Sequence, residues 1–154
     1  MKLREADPKS RVWALFLAAH SQVIERIEAA LTQAGLPPLA WYDVLWELEK
    51  APDGKLRMHE LAVRIVLSRS NLTRLADRLE HAKLLQRESC EDDRRGAYCV
   101  ITAAGRTIRE KMWPIYQQQI ENFFTGHLNQ AEAKIMVQAL EKILGAAQIF
   151  LEIA

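Results

Sequence analysis

Two cysteines, Cys90 and Cys99, bracket a run of charge in the stretch "CEDDRRGAYC". Thiols at that spacing raise three chemistries: metal ligation, a redox pair, or none. A structural zinc site draws on four closely spaced ligands, usually paired C-x-x-C units. Here eight residues separate the thiols, and His81 is the one other ligand-type Cys or His nearby in sequence. A cross-strand disulfide forms only at particular pair geometries. The stretch therefore reads as a hairpin carrying two incidental thiols, with a redox pair as the lesser alternative. "HELAV" opens like the zinc-protease pattern H-E-x-x-H, but Val63 stands where the second histidine is required. No glycine-rich phosphate loop or nucleophile–base arrangement accompanies it. Neither a metal, a cofactor nor an enzymatic activity is expected.

A second constellation lies just upstream, in "LSRSNLTRLADRLEH". Leu72, Leu75, Ala76 and Leu79 recur at i, i+3, i+4 and i+7, a core-facing helical stripe. The opposite face carries Ser70, Arg74, Asp77 and His81, flanked by Asn71, Thr73 and Arg78. These side chains suit base edges: arginine can bond guanine twice, asparagine adenine, and serine or threonine either bases or phosphates. Ser68 is a favourable N-cap after the tight turn "VLS". In a helix-turn-helix the N-terminal half of the second helix enters the major groove. That places Ser68, Ser70, Asn71, Thr73 and Arg74 nearest the DNA, with Arg69 and Arg78 at phosphates.

An amphipathic helix by itself is an ordinary solvated surface. Here a basic hairpin follows it. "LLQRESC" and "AYCVIT" hold strand formers, and "EDDRRG" between them holds turn residues ending in Gly96. Arg94 and Arg95 fall near the tip, where guanidinium groups could reach the backbone or a minor groove. Asp93 in the tip, and Asp77 from the helix, are placed to orient an arginine through a carboxylate–guanidinium pair.

The surrounding elements must position this module. "DPKSRVWALFLAAHSQVIERIEAALTQAG" predicts one long helix, started by Asp7-Pro8 and stopped by Gly35. It is apolar on two sides, as for a helix that packs against its own core and a partner subunit. "LAWYDVLWELEKA" predicts a second helix with Trp41, Val44, Leu45 and Leu48 inward, closed by "APDG". After the hairpin, helix resumes from Thr102 to about Thr125, with Pro114 expected to kink it. A last helix starts at "NQAE", where Asn129 and Glu132 form a capping-box pattern. The fold expected is mainly α with a small β-hairpin wing.

The chain of 154 residues is 49% hydrophobic and 27% charged, enough for a genuine core. Its apolar runs are too short to span a bilayer, and its charged N-terminus is no secretion signal. A reducing cytoplasm is the expected location. A formal net charge of +1 gives no global pull toward nucleic acid, so a DNA partner must be met by a local patch.

"MHELAVRIVLSRSNLTRLADRLEHAKLLQRESCEDDRRGAYCVITAAGR" resembles the winged helix-turn-helix core of MarR-family transcriptional regulators. The likeness rests on "LSRSNLTRLADRLE", the "DRR" of the wing tip and the "VITAAGR" leading into the next helix. "GLPPLAWYDVLWEL" resembles the family's second helix. The resemblance implies one chain with a DNA-binding region over 37–102 and helical dimerisation segments over 10–35 and 103–154. It further implies a homodimeric repressor on a pseudo-palindromic duplex, recognition helices ~10 bp apart. In such proteins a cleft between the two regions admits a small effector. Trp13, Phe16, His20, Trp41, Tyr42, Trp113 and Tyr116 fall on the helices that border it, suiting a planar, often acidic ligand. Helical aromatics otherwise pack as core. A redox-responsive regulator and a winged-helix protein-interaction scaffold are the alternatives. One departure is Lys83, where the family usually closes the recognition helix with glycine.

Overall fold

The computed structural model describes residues 7–65, 69–90 and 93–153, with the backbone alone for 69–70, 90, 93–95 and 148–153. Six helices and three strands follow in the order α1 (Pro8–Gln33), α2 (Leu39–Lys50), β1 (Lys55–Arg57), α3 (Met58–Arg64), α4 (Arg69–His81), β2 (Leu85–Cys90), β3 (Asp93–Ile101), α5 (Ala103–Phe123) and α6 (Gln130–Ile153). Among the described residues no helix is long and apolar enough to cross a membrane. The chain divides into two compact units, Ile24–Gln117 and the pair of segments Met1–Val23 with Gln118–Ala154. The division falls inside α1 and inside α5.

The unit Ile24–Gln117 holds the core. Val44, Leu45 and Leu48 of α2, Leu61 of α3, Leu72 and Leu79 of α4, and Leu85 and Cys99 of the sheet are buried together. Each large apolar side chain so buried contributes about 1.5–3 kcal/mol relative to exposure. On α2 the inward ring is Tyr42, at 5% exposure, while Trp41 is only half-buried. Trp41, Val44, Leu45 and Leu48 were the expected inward set, and Tyr42 has to be added to it. The sheet is antiparallel with strand order β1-β3-β2, so the expected hairpin gains a third strand. At three residues, β1 is too short to leave a readable alternation pattern.

Helix ends explain the connections. Asp7 accepts hydrogen bonds from the Lys9 amide at 3.4 Å and the Ser10 hydroxyl at 3.2 Å, starting α1 where Asp7-Pro8 predicts. Gly35, with φ 69°, closes it: its amide reaches the Thr32 carbonyl and that of Leu36 reaches Leu31. That pair of bonds is a Schellman cap, which glycine adopts without a Cβ penalty. Glu28 of α1 accepts the Leu39 amide with both carboxylate oxygens, at 3.1 and 3.3 Å, and so caps α2 in place of Pro38. Glu49 of α2 pairs with Arg109 of α5, and Arg106 approaches it at 3.6 Å.

In the other unit α6 begins with a reciprocal capping box. The Asn129 amide donates to Glu132 at 2.9 Å, and the Glu132 amide to Asn129 Oδ1 at 3.0 Å. Pro114 sits inside α5, which runs through it as one element. Apolar residues here stay on the surface: Val12 is 63% exposed, Ile135 65% and Ile143 62%. Among the described residues, every buried one lies between Ile27 and Met112.

Candidate nucleic-acid interface

The site is built on α4. Leu72, Leu75, Ala76 and Leu79 turn into the core as their spacing requires. Asn71, Thr73, Arg74, Asp77, Arg78 and His81 are exposed on the other side. Arg69 and Ser70 open the helix, and Ser68 lies outside the described residues, as do all side-chain particulars of residues 69–70.

α4 ends in the same way as α1, with a lysine in glycine's place. The Lys83 amide donates to the Glu80 carbonyl at 2.9 Å and the Leu84 amide to Leu79 at 2.9 Å. Lys83 has φ 62°, a left-handed conformation that costs an L-residue about 1–2 kcal/mol. The Lys83 carbonyl is in turn held by the Thr102 hydroxyl at 2.8 Å, and Thr102 also caps α5 through the Gly105 amide at 3.0 Å. A Cβ on Gly105 would lie 2.1 Å from the Leu84 carbonyl oxygen. The end of α4 and the start of α5 therefore touch backbone to backbone.

Asp77 pairs with Arg87 on β2. Arg87 Nη1 lies 2.6 Å from Asp77 Oδ1 and 3.4 Å from Glu80 Oε1, while its backbone amide donates to Glu80 Oε2 at 2.9 Å. Burial opposes its charge, but the hydrogen bond and charge of Asp77, then the charge of Glu80, outweigh this and raise its pKa. The sequence signal for this contact is faint: Arg87 stands opposite inward-facing Cys99 in the ladder, which places it on the core side. Asp93, Arg94 and Arg95 open strand β3, where only the backbone is described.

The ladder also separates the cysteines. Cys99 is paired with Arg87, and Cys90 with Asp93. Three positions of strand, ~10 Å, separate Cys90 from the residue opposite Cys99, beyond the reach of a disulfide without backbone movement. The register therefore does not set the two cysteines opposite one another. Cys99 is fully buried, burial pushes its thiol pKa up, and Met58 Sδ lies 3.1 Å from its sulfur.

The aromatic residues form two groups, one in each unit. Trp13, Phe16 and His20 follow one another along α1, with centroids 6.2 and 6.4 Å apart. Tyr42 stacks on Trp113 at 6.0 Å and meets Tyr116 edge-on at 5.1 Å. Trp46, unremarked in the sequence, extends the second group: it lies 6.5 Å from Tyr42 with the Arg109 guanidinium 5.1 Å over its ring. Beside this group Asp43 is pushed up to about 6 by burial, then by the charges of Glu47 and Glu28.

The sequence profile of the MarR family matches residues 34–96, from the end of α1 through the wing. AbsC, a MarR family transcriptional regulator from Streptomyces coelicolor, superposes with a TM-score of 0.85 at 27% identity, over 94% of this chain and 98% of that one. Residues 34–96 of the chain are thus similar to the MarR family. Its members are transcriptional regulators, not enzymes. The MarR-like chain is also 29% identical, over 89 residues, to YkoM, an uncharacterised HTH-type transcriptional regulator of Bacillus subtilis (strain 168). That match covers 58% of this chain and 57% of YkoM, so the chain spans little more than half the length of this curated relative. BpsR of Bordetella bronchiseptica, whose DNA binding is regulated by 6-hydroxynicotinic acid, superposes with a TM-score of 0.73 at 25% identity, over 86% of this chain and 98% of that one.

Proposed function

We propose that this MarR-like chain is a homodimeric, sequence-specific double-stranded DNA-binding repressor, released by a small aromatic or acidic ligand. The observation that carries the reading is the outward face of α4. Asn71, Thr73 and Arg74 present base-reading groups from a helix whose opposite side is locked into the core. Residues 37–102 form the DNA-binding region, in which Ser70, Asn71, Thr73 and Arg74 read bases and Ser68 belongs to the DNA-binding set. Arg69 and Arg78 hold phosphates, and Arg94 and Arg95 serve as wing contacts.

Dimerisation belongs to the helical segments 10–35 and 103–154. The exposed Val12, Trp13, Ile135 and Ile143 favour it, because helices with so much uncovered apolar surface are stabilised by a second copy. Tyr42, Trp113 and Tyr116, with Trp13, Phe16, His20 and Trp41, are the proposed effector contacts. The ligand response of BpsR supports that assignment. An effector releases DNA only by binding the DNA-incompetent arrangement more tightly. Acting on the chromosome, the protein works in the cytoplasm.

The test is selection of bound duplexes from fragmented DNA of the source organism, followed by titration across a salt series. Enrichment of a short inverted repeat, with affinity falling steeply as salt rises, is the expected result. Salt-insensitive binding to a protein partner, with no duplex enriched, would replace this reading with that of an interaction scaffold.

A further inference from the structure

Beyond α4 and the wing, we propose that the β1 edge of the sheet is a second phosphate-binding track, in which Lys55 and Arg57, braced on Tyr98, grip the DNA backbone. The inference rests on the DNA-binding reading above and extends its footprint to a strand that reading does not use.

β1 is an edge strand, and its alternation is cation, core, cation. Leu56 is buried at 4% exposure, so Lys55 and Arg57 share the outward face. The register sets Arg57 opposite Tyr98 and Lys55 opposite Val100. Both cations fold onto one ring: Lys55 Nζ lies 5.1 Å from the Tyr98 centroid and Arg57 Cζ 5.4 Å. Arg57 Nε also donates to the Tyr98 hydroxyl at 3.4 Å. The negative face of the ring offsets the mutual repulsion of two cations held so close. Among the described residues Lys55 has no carboxylate partner.

Position selects the occupant. Arg57 lines a cleft of about 280 Å³ together with His59, the exposed Thr73 of α4 and Ala97 of β3. The cationic row is thus continuous with the face proposed to read bases. On the same outward face Glu88 of β2 stands opposite Tyr98 from the other side, so the ring has cations on its β1 side and a carboxylate on its β2 side. A phosphate backbone running beside the groove read by α4 meets the basic edge and avoids the acidic one. With a chain charge of only +1, such local placement is what phosphate contacts require. Charged residues on an edge strand can also serve simply to prevent sheet-to-sheet pairing, and the experiment separates the two roles.

The experiment uses the full chain and the duplex enriched by selection, with an unrelated duplex as comparison. Affinities are measured across a salt series for the wild type, Lys55→Gln, Arg57→Gln and the double variant. Each substitution is expected to weaken binding roughly three- to tenfold on both duplexes and to reduce the log–log salt slope by about 1. Circular dichroism checks folding. Among the described residues the Lys55 ammonium lies over the Tyr98 ring and forms no ion pair, so Lys55→Gln decides the matter if Arg57→Gln unfolds. Unchanged affinity and slope while the wild type still binds overturns this inference alone, as does unchanged affinity with edge-to-edge self-association of the variants. A wild type that binds neither duplex overturns the DNA-binding reading as well.

Discussion

Arg87 of β2 and Asp77 of α4 meet at 2.6 Å, and Arg87 Nη2 also lies 3.5 Å from the Thr73 carbonyl. One side chain thereby ties the wing to the helix that carries the base-reading residues. The two ends of this contact are unequal, since the Arg87 side chain is 27% exposed and that of Asp77 58%. Arg87→Met should cost about 1–2 kcal/mol, because Asp77 and Glu80 are then left as neighbouring carboxylates without their cation. Asp77→Asn should cost about 0.5 kcal/mol, because water solvates what remains. Urea unfolding of the two variants measures the difference.

Lys83 holds a left-handed conformation at the end of α4, in the place where Gly35 ends α1. Lys83→Gly should raise stability by about 1 kcal/mol, the Cβ penalty being partly offset by glycine's extra freedom in the unfolded chain. Lys83→Ala keeps the Cβ and should leave the midpoint close to wild type. A shift in thermal midpoint for alanine as large as that for glycine would place the effect in the lysine's charge.

Gly105→Ala drives a Cβ into the Leu84 carbonyl, a backbone atom that cannot swing aside. A loss of about 3 kcal/mol is expected, with α5 displaced from the end of α4. Urea denaturation gives the loss. Amide exchange at Thr102, whose N–H donates to the Leu84 carbonyl at 3.1 Å, should accelerate with it.

Asp43, pushed up to about 6 from its ordinary 3.8, supplies a pH dependence of defined sign. Between these values the folded chain binds more protons than the unfolded one, so stability falls as pH rises through the window. The penalty is complete above about pH 6 and absent below about pH 4. Asp43→Asn should therefore stabilise the protein at pH 7 and do nothing at pH 3.5, the gain being held to on the order of 1 kcal/mol because the residue is packed on one side yet keeps a solvent-facing side that screens its charge. Thermal melts at the two pH values give the comparison.

Features governed by local chemistry were legible in the linear chain. The apolar stripe of α4, the Asp7-Pro8 and Gly35 limits of α1, and the Asn129–Glu132 box all act within a few residues of chain. Such periodicity and capping are legible in one dimension, and the MarR likeness rides on the same stretches. Which distant groups meet depended on the folded arrangement. Strand register put Arg87 rather than Cys90 opposite Cys99, and the same register gave Asp77 its partner. A strand of three residues, β1, exists because β3 offers it an edge, and its cations find Tyr98 only through that pairing. Lys83 tolerates its left-handed backbone because Thr102, nineteen residues on, holds its carbonyl. In each case the deciding energy comes from a contact between residues far apart in sequence, and the composition of neither segment contains it.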